Sequence, residues 1–93
     1  MKNKKLLNYS DYLQLEKILS GQELMSAKRG TPAHDEMLFI IVHQVYELWF
    51  KQILHELDSV ITIFKQESII ESDVSFVVLR LQRIIEIQKI LID

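Results

Sequence analysis

Residues 31–64 read TPAHDEMLFIIVHQVYELWFKQILHELDSVITIF, and this stretch decides the fold. Pro32 is the only proline in the chain, and neither proline nor glycine follows it before Phe64. Thr31 has a side chain that caps helices, and a proline at the first helical position loses no hydrogen bond. The two acidic residues that follow place negative charge near the positive end of the helix dipole. The sequence therefore predicts one helix of about 50 Å over residues 32–64.

This helix has two apolar faces when its residues are placed at about 100° intervals. The first face surrounds His43 and carries aromatic and aliphatic side chains at Phe39, Ile40, Tyr46 and Phe50. The roughly opposite face carries aliphatic side chains at Leu38, Ile41, Val45 and Leu48. A helix that is apolar on two sides is expected to be buried on two sides. One face would pack in a bundle core, and the other would pack against a different occupant.

Two further helices are predicted, one on each side of residues 31–64. Ser10 is a candidate cap for a short helix that ends before Gly21, and a polar connection covers residues 23–30. A third helix begins near Ser72, because its apolar residues recur at i, i+3, i+4 and i+7 over roughly 20 residues.

We therefore expect an all-α fold. It would be a helical bundle fragment with one short N-terminal helix, one long central helix and a third amphipathic helix, and residues 1–93 would form one domain or part of one. Three apolar residues, Ile90, Leu91 and Ile92, come just before the final Asp93, and no helix stop follows them. We accordingly expect the chain to be part of a longer one.

Composition narrows the classes of partner. The chain is 48% hydrophobic and 26% charged, with a net charge of −2, so no global basic field attracts nucleic acid. No charge-free run approaches the roughly 18 residues of a membrane span, so no membrane partner is expected. Cysteine is absent, which is compatible with a reducing compartment, and we expect a cytoplasmic location.

The positions of the three histidines around the predicted long helix argue against a metal site. Relative to His43 on a straight helix, His34 lies at about 180° and His55 at about 120°, so they cannot converge on one ion. The Glu-x-x-His pairing of di-iron bundles is absent from the sequence. We therefore predict no metal ligand in this chain.

Composition and periodicity alone leave the role of His43 open between a core histidine and a catalytic residue. The aromatic residues Phe39, Tyr46, Trp49 and Phe50 are likewise compatible with plain core packing. Charged residues late in the chain are most simply solvated, and they include Glu56, Asp58, Arg80, Arg83 and Lys89.

A family resemblance adds to this interpretation. The run HDEMLFIIVHQVYELWFKQILHELDSV closely resembles the first long helix of the haem-dependent tryptophan 2,3-dioxygenases. The preceding YSDYLQLEKILSGQELMS resembles their tyrosine-bearing N-terminal segment, and RLQRIIEIQKILID resembles the helix that follows. The resemblance covers about Tyr9 to Asp93. It implies an all-α haem enzyme that inserts O₂ into the indole ring of L-tryptophan and gives N-formylkynurenine.

The resemblance also implies roles for single residues. His43 matches the distal histidine that accepts the indole N–H hydrogen bond and is the catalytic candidate. Phe39 matches the aromatic beside haem and substrate, and the segment Phe39, Ile40, Ile41, Val42, His43 matches the substrate-binding stretch. Tyr9, Tyr12 and Leu13 match residues that reach the haem site of a neighbouring subunit. Cofactor-binding candidates are therefore Phe39, His43, Tyr9, Tyr12 and Leu13.

The resemblance has one visible departure and one implied gap. Val42 stands where a polar residue commonly precedes the histidine. The histidine that ligates the iron of haem b, and the arginine that pairs with the substrate carboxylate, are implied to lie downstream. The family further implies a homotetramer. We therefore expect the isolated 93-residue chain to be inactive. Two alternatives stay open: a non-catalytic helical assembly module, and a family relative with different haem or indole chemistry.

Overall fold

The computed structural model describes residues 8–92, and all regular structure in that range is helical. Its helices are α1 (Tyr9–Leu13), α2 (Leu15–Leu19), α3 (Met25–Lys28), α4 (Glu36–Phe64) and α5 (Glu71–Ile92). The predicted all-α class is confirmed. The chain divides into two compact units, Met1–Ile41 and Val42–Asp93, and the long helix α4 contributes residues to both.

In the first unit, the short helix predicted from Ser10 is instead two helices. The Asn8 side chain caps α1, since its Oδ1 accepts a hydrogen bond from the Asp11 N–H at 2.8 Å. Gln14 then adopts a left-handed conformation, with φ 57° and ψ 40°, and separates α1 from α2. Its side-chain Nε2 donates to the Asp11 carbonyl at 3.2 Å, which helps to hold this unusual backbone.

The start of the long helix also differs from the prediction. Helix α4 begins at Glu36, whose N–H donates to the Ala33 carbonyl at 3.2 Å, and not at Pro32. Thr31 lies five residues before the start of α4 and so is not at its N-cap position, and its N–H donates to the Ser26 carbonyl at 3.1 Å. The Ala33 N–H donates to the Ser26 hydroxyl at 2.9 Å. Residues 31–35 are thus held by α3, a helix in the region predicted to be a polar connection.

The second unit pairs α4 with α5. Its core contains Val60 and Ile63 of α4 packed with Val77 of α5. Helix α5 begins at Glu71, close to the predicted start, and the Asp73 Oδ2 accepts a hydrogen bond from the Ile70 N–H at 3.2 Å. This is the reciprocal half of a helix-capping arrangement.

At the far end of the pair, the Tyr46 hydroxyl donates to the Leu91 carbonyl at 3.3 Å. Together with the core near the turn, this bond shows that α4 and α5 run antiparallel.

Within residues 8–92, α5 covers one side of α4, and the different occupant expected for its other apolar face stays a prediction. The buried residues of α4 are Glu56, Val60 and Ile63, all in its C-terminal half. Leu38 is 66% exposed and Leu48 is 54% exposed. The reason is that one antiparallel neighbour covers one side of a helix and leaves the rest to solvent. Despite these exposed apolar side chains, no helix in residues 8–92 is long and apolar enough to cross a membrane.

Candidate functional site

Residues 39–43 are consecutive positions of α4. The Phe39 side chain is 64% exposed, and the His43 side chain is also exposed. Their four-residue separation places them one turn apart on one face of the helix. An exposed imidazole fills no core among residues 8–92, and the role of His43 stays a prediction.

Between these two residues the segment is apolar and partly accessible. Ile40 is half-buried, while Ile41 and Val42 are 41% and 39% exposed. An exposed aromatic residue, three aliphatic residues and an exposed histidine therefore follow one another along α4. Such a segment can offer a flat apolar surface together with one polar nitrogen.

Three further aromatic residues of α4, namely Tyr46, Trp49 and Phe50, follow His43 along the helix. The rings of Tyr46 and Phe50 stack with centroids 6.3 Å apart and an angle of 15° between their planes. The Tyr46 hydroxyl is engaged by the Leu91 carbonyl, and Trp49 is half-buried. Tyr46 and Phe50 are nevertheless 38% and 45% exposed, so the interpretation of these residues as plain core stays a prediction.

The three candidate residues of α1 are accessible to different degrees. Tyr9 is 75% exposed and Tyr12 is 71% exposed, while Leu13 is half-buried. The resemblance assigns these side chains to the site of a neighbouring subunit, and that assignment stays a prediction.

A hydrogen-bonded cluster around Glu36 lies three residues before Phe39. The two oxygens of the Glu36 carboxylate accept from the Met25 N–H at 3.0 Å and the Ser26 N–H at 3.1 Å. The Ser26 hydroxyl also donates to this carboxylate. Glu36 therefore supplies the N-terminal cap of α3, since the Leu24 side chain makes no capping bond.

These hydrogen bonds lower the pKa of the Glu36 carboxyl below its ordinary value, the Ser26 hydroxyl first and the Ser26 N–H next. An open cavity of about 690 Å³ lies beside the cluster. Its lining residues are Met25, Ser26, Arg29, Thr31, Ala33, Asp35, Glu36 and Phe39. The sequence predicts a role for Glu36 at the helix dipole but not its hydrogen bonds to residues 25 and 26. The signal available for this cluster was the turn indicated by Gly30 and Pro32, which brings residues 26 and 36 close together.

A second carboxylate is buried in the other unit. The Glu56 residue is 3% exposed, and its Oε2 accepts from an Arg83 guanidinium nitrogen at 2.9 Å and from Gln52 Nε2 at 2.8 Å. The Arg83 hydrogen bond lowers the pKa of Glu56, and this effect exceeds the opposing effect of burial. The prediction that Glu56 and Arg83 are simply solvated is therefore wrong for Glu56. Periodicity misses this pair because both residues are charged and lie 27 positions apart.

Potential metal-binding side chains are dispersed in the structure. Among residues 8–92, no three histidine, aspartate or glutamate side chains come together in an arrangement that could hold an ion.

The described elements define an all-α chain whose long helix presents an aromatic residue and a histidine one turn apart. The family model described as "Tryptophan 2,3-dioxygenase" matches residues 2–93. The chain belongs to the tryptophan 2,3-dioxygenase family.

Curated relatives in distant organisms support the same membership. A tryptophan 2,3-dioxygenase of Alteromonas mediterranea is 64% identical over 85 residues, which is 91% of this chain and 24% of the relative. Those of Dictyostelium discoideum and Rattus norvegicus are 53% and 55% identical, over 91% and 94% of this chain. The matched residues make up 21% and 22% of the lengths of these two relatives. The chain thus spans about a quarter or less of the length of these relatives.

Proposed function

We propose that this chain carries the distal-side segment of a haem-dependent tryptophan 2,3-dioxygenase. The complete enzyme inserts both atoms of O₂ into the indole ring of L-tryptophan and releases N-formylkynurenine. The observation that carries the proposal is the family match over residues 2–93, combined with the exposed Phe39 and His43 on one face of α4.

The chemistry of the substrate fits this segment. An indole side chain needs a flat apolar surface and one acceptor for its single N–H. Phe39 offers the surface, and His43 offers the acceptor when one imidazole nitrogen is unprotonated. Ile40, Ile41 and Val42 complete the substrate-binding segment and help to exclude water around the indole.

The residues present also suit the distal side of haem b. That side requires apolar and aromatic surface with one polar group and no iron ligand, and Phe39 and His43 meet this description. Haem, when bound, supplies the activation of dioxygen, while the protein orients the substrate and sets the polarity of the pocket. The exposed Tyr9 and Tyr12, with Leu13, are accessible to a neighbouring copy in a homotetramer. Residues 1–93 would then be the N-terminal helical part of a cytoplasmic enzyme whose iron ligand lies downstream.

A chimera tests the proposal. Residues 1–93 replace the matching segment of the Alteromonas mediterranea relative, and N-formylkynurenine formation is followed by absorbance with L-tryptophan, haem and O₂. We expect kcat/KM within about tenfold of the relative, which corresponds to about 1.4 kcal/mol of transition-state stabilisation. A folded, haem-loaded chimera without turnover would contradict the proposed function.

A further inference from the structure

We infer that Ser26 and Glu36 are positioning residues that fix where Phe39 lies, and through it where the substrate indole binds. The inference rests on the proposed function for the identity of the substrate. The hydrogen-bonded cluster itself is independent of that function.

The first argument is convergence. The Glu36 carboxylate accepts from two backbone N–H groups, those of Met25 and Ser26, and from the Ser26 hydroxyl. The same hydroxyl oxygen accepts from the Ala33 N–H at 2.9 Å. One serine hydroxyl therefore joins three places at once: the start of α3, the segment before α4, and the first residue of α4.

The second argument is the location of Phe39. It lies three residues after Glu36 and therefore about 60° from it around α4, on the same side of the helix. Phe39 also borders the cavity whose other walls include Met25, Arg29 and Thr31. The Ser26–Glu36 contact fixes the distance between these walls, because it ties α3 to the helical turn that leads into Phe39.

The third argument is the weakness of a helix start. The first N–H groups of a helix have no partner within the helix, so the first turn frays unless other groups hold it. Here the Glu36 side chain holds that turn by bonding α3. Loss of the Ser26 hydroxyl removes two hydrogen bonds, and the turn that ends at Phe39 gains freedom. If the Phe39 ring is mobile before the substrate binds, ordering it costs free energy of binding. Substrate affinity should therefore fall more than the rate of the chemical step.

The first experiment uses the 93-residue chain and needs no enzyme activity. Amide hydrogen exchange and carboxyl NMR titration are compared for the parent, Ser26→Ala and Ser26→Thr. In Ser26→Ala we expect exchange at Ala33 to accelerate by about tenfold or more and the pKa of Glu36 to rise toward its ordinary value. Ser26→Thr keeps the hydroxyl and should restore both. Unchanged exchange and an unchanged Glu36 titration in Ser26→Ala would overturn the inference.

The second experiment uses the chimera with the Alteromonas mediterranea relative. In Ser26→Ala we expect the KM for tryptophan to rise by about three- to tenfold while kcat stays within about twofold. Glu36→Gln, which keeps an acceptor oxygen and loses the charge, should raise KM by a smaller factor. The matched control is Ser20→Ala, because the Ser20 hydroxyl donates only within its own turn, to the Glu16 carbonyl at 2.6 Å.

The outcomes of the chimera experiment separate the two claims. An inactive parent chimera contradicts the proposed function, and with it the role of Ser26 toward substrate. An active parent in which Ser26→Ala leaves KM unchanged contradicts this inference alone. A fall in kcat at constant KM, or a Ser26→Thr variant that fails to recover KM, also overturns it. If Ser26→Ala does not fold, Glu36→Gln with unchanged KM overturns it instead.

Discussion

At His43 the structure separates the effect of a mutation on stability from its effect on function. The side chain is exposed in this chain, so His43→Ala should change the free energy of unfolding by less than about 0.5 kcal/mol. In the active chimera the same change removes the acceptor that we propose for the indole N–H. We expect kcat/KM to fall by roughly ten- to a hundredfold, as measured by steady-state kinetics.

Two comparisons sharpen the His43 measurement. His55→Ala removes another exposed histidine of α4 and should leave turnover intact. Tryptophan that is methylated at its indole nitrogen cannot donate the indole hydrogen bond. His43→Ala should therefore discriminate less between this analogue and tryptophan than the parent does. A large loss of thermal stability with unaltered discrimination would instead assign His43 to packing.

The Glu56 carboxyl predicts how stability depends on pH. Its pKa is lowered in the folded chain, so the unfolded state binds more protons between the folded pKa and the ordinary value of 4.5. The stabilisation is complete above pH 4.5 and is lost as pH falls through the lowered folded pKa.

We expect Arg83→Met to destabilise the chain by about 1–3 kcal/mol at pH 7, because a buried carboxylate loses a charged partner. Water moderates this loss, since the Arg83 side chain is 49% exposed. The deficit should shrink in acid, as urea unfolding at several pH values would reveal. Lys89→Met is the control, because Lys89 and Glu86 form an exposed pair. Equal deficits at pH 7 and in acid would refute the assignment to Glu56.

Among the helices, α3 depends on the conformation of a single glycine after it. Gly30 has φ +87°, and its N–H donates to the Ala27 carbonyl at 3.0 Å. A side chain at this position would meet nothing within 4 Å, so the effect of Gly30→Ala comes from the backbone alone. We expect about 1 kcal/mol of local destabilisation, measured as faster amide exchange in α3. Asparagine tolerates this conformation better than alanine, so Gly30→Asn should lose less stability in α3. Amide protection in Gly30→Ala equal to that of the parent would contradict this prediction.

The helices α4 and α5 could largely be predicted from the sequence, whereas the short helices of the first unit could not, and the difference has a physical cause. Long apolar periodicity determines α4 and α5 through their packing. The break at Gln14 depends on a left-handed backbone that glutamine rarely adopts, so no local preference reveals it. The start of α4 depends on Ser26, a residue ten positions before Glu36. The Ser26 hydroxyl accepts a hydrogen bond from the Ala33 N–H, just before the helix begins. Residues 39–43 were predicted as a substrate-binding segment through the family resemblance, whereas the Ser26–Glu36 cluster depends on contacts between residues ten positions apart, which periodicity does not reveal.

For the whole molecule, the amount of exposed apolar surface predicts self-association. Phe39, Leu54 and Ile90 are 64%, 59% and 57% exposed, and many other aliphatic side chains of α4 and α5 are accessible. Burial of such side chains stabilises by about 25 cal/mol per Å² of apolar area. We expect sedimentation at micromolar concentration to give a mass above the 11.0 kDa of one chain. Leu54→Lys should lower the measured mass, and a parent that sediments as a single chain would contradict this prediction.

The buried Glu56 also determines how α5 is aligned along α4. Both helices carry apolar side chains over much of their length, so a shift of α5 by one turn, about 5.4 Å, would still bring aliphatic groups together. The observed alignment gives the Glu56 carboxylate its Arg83 partner, and a shift that brings Leu79 or Ile87 to the place of Arg83 leaves the charge buried without that partner. Replacing both residues by leucine should therefore keep the helices and allow several alignments, visible as multiple or broadened NMR resonances. One sharp set of resonances would show that apolar packing alone selects the alignment. The ion pair thus acts by excluding neighbouring arrangements as well as by stabilising its own.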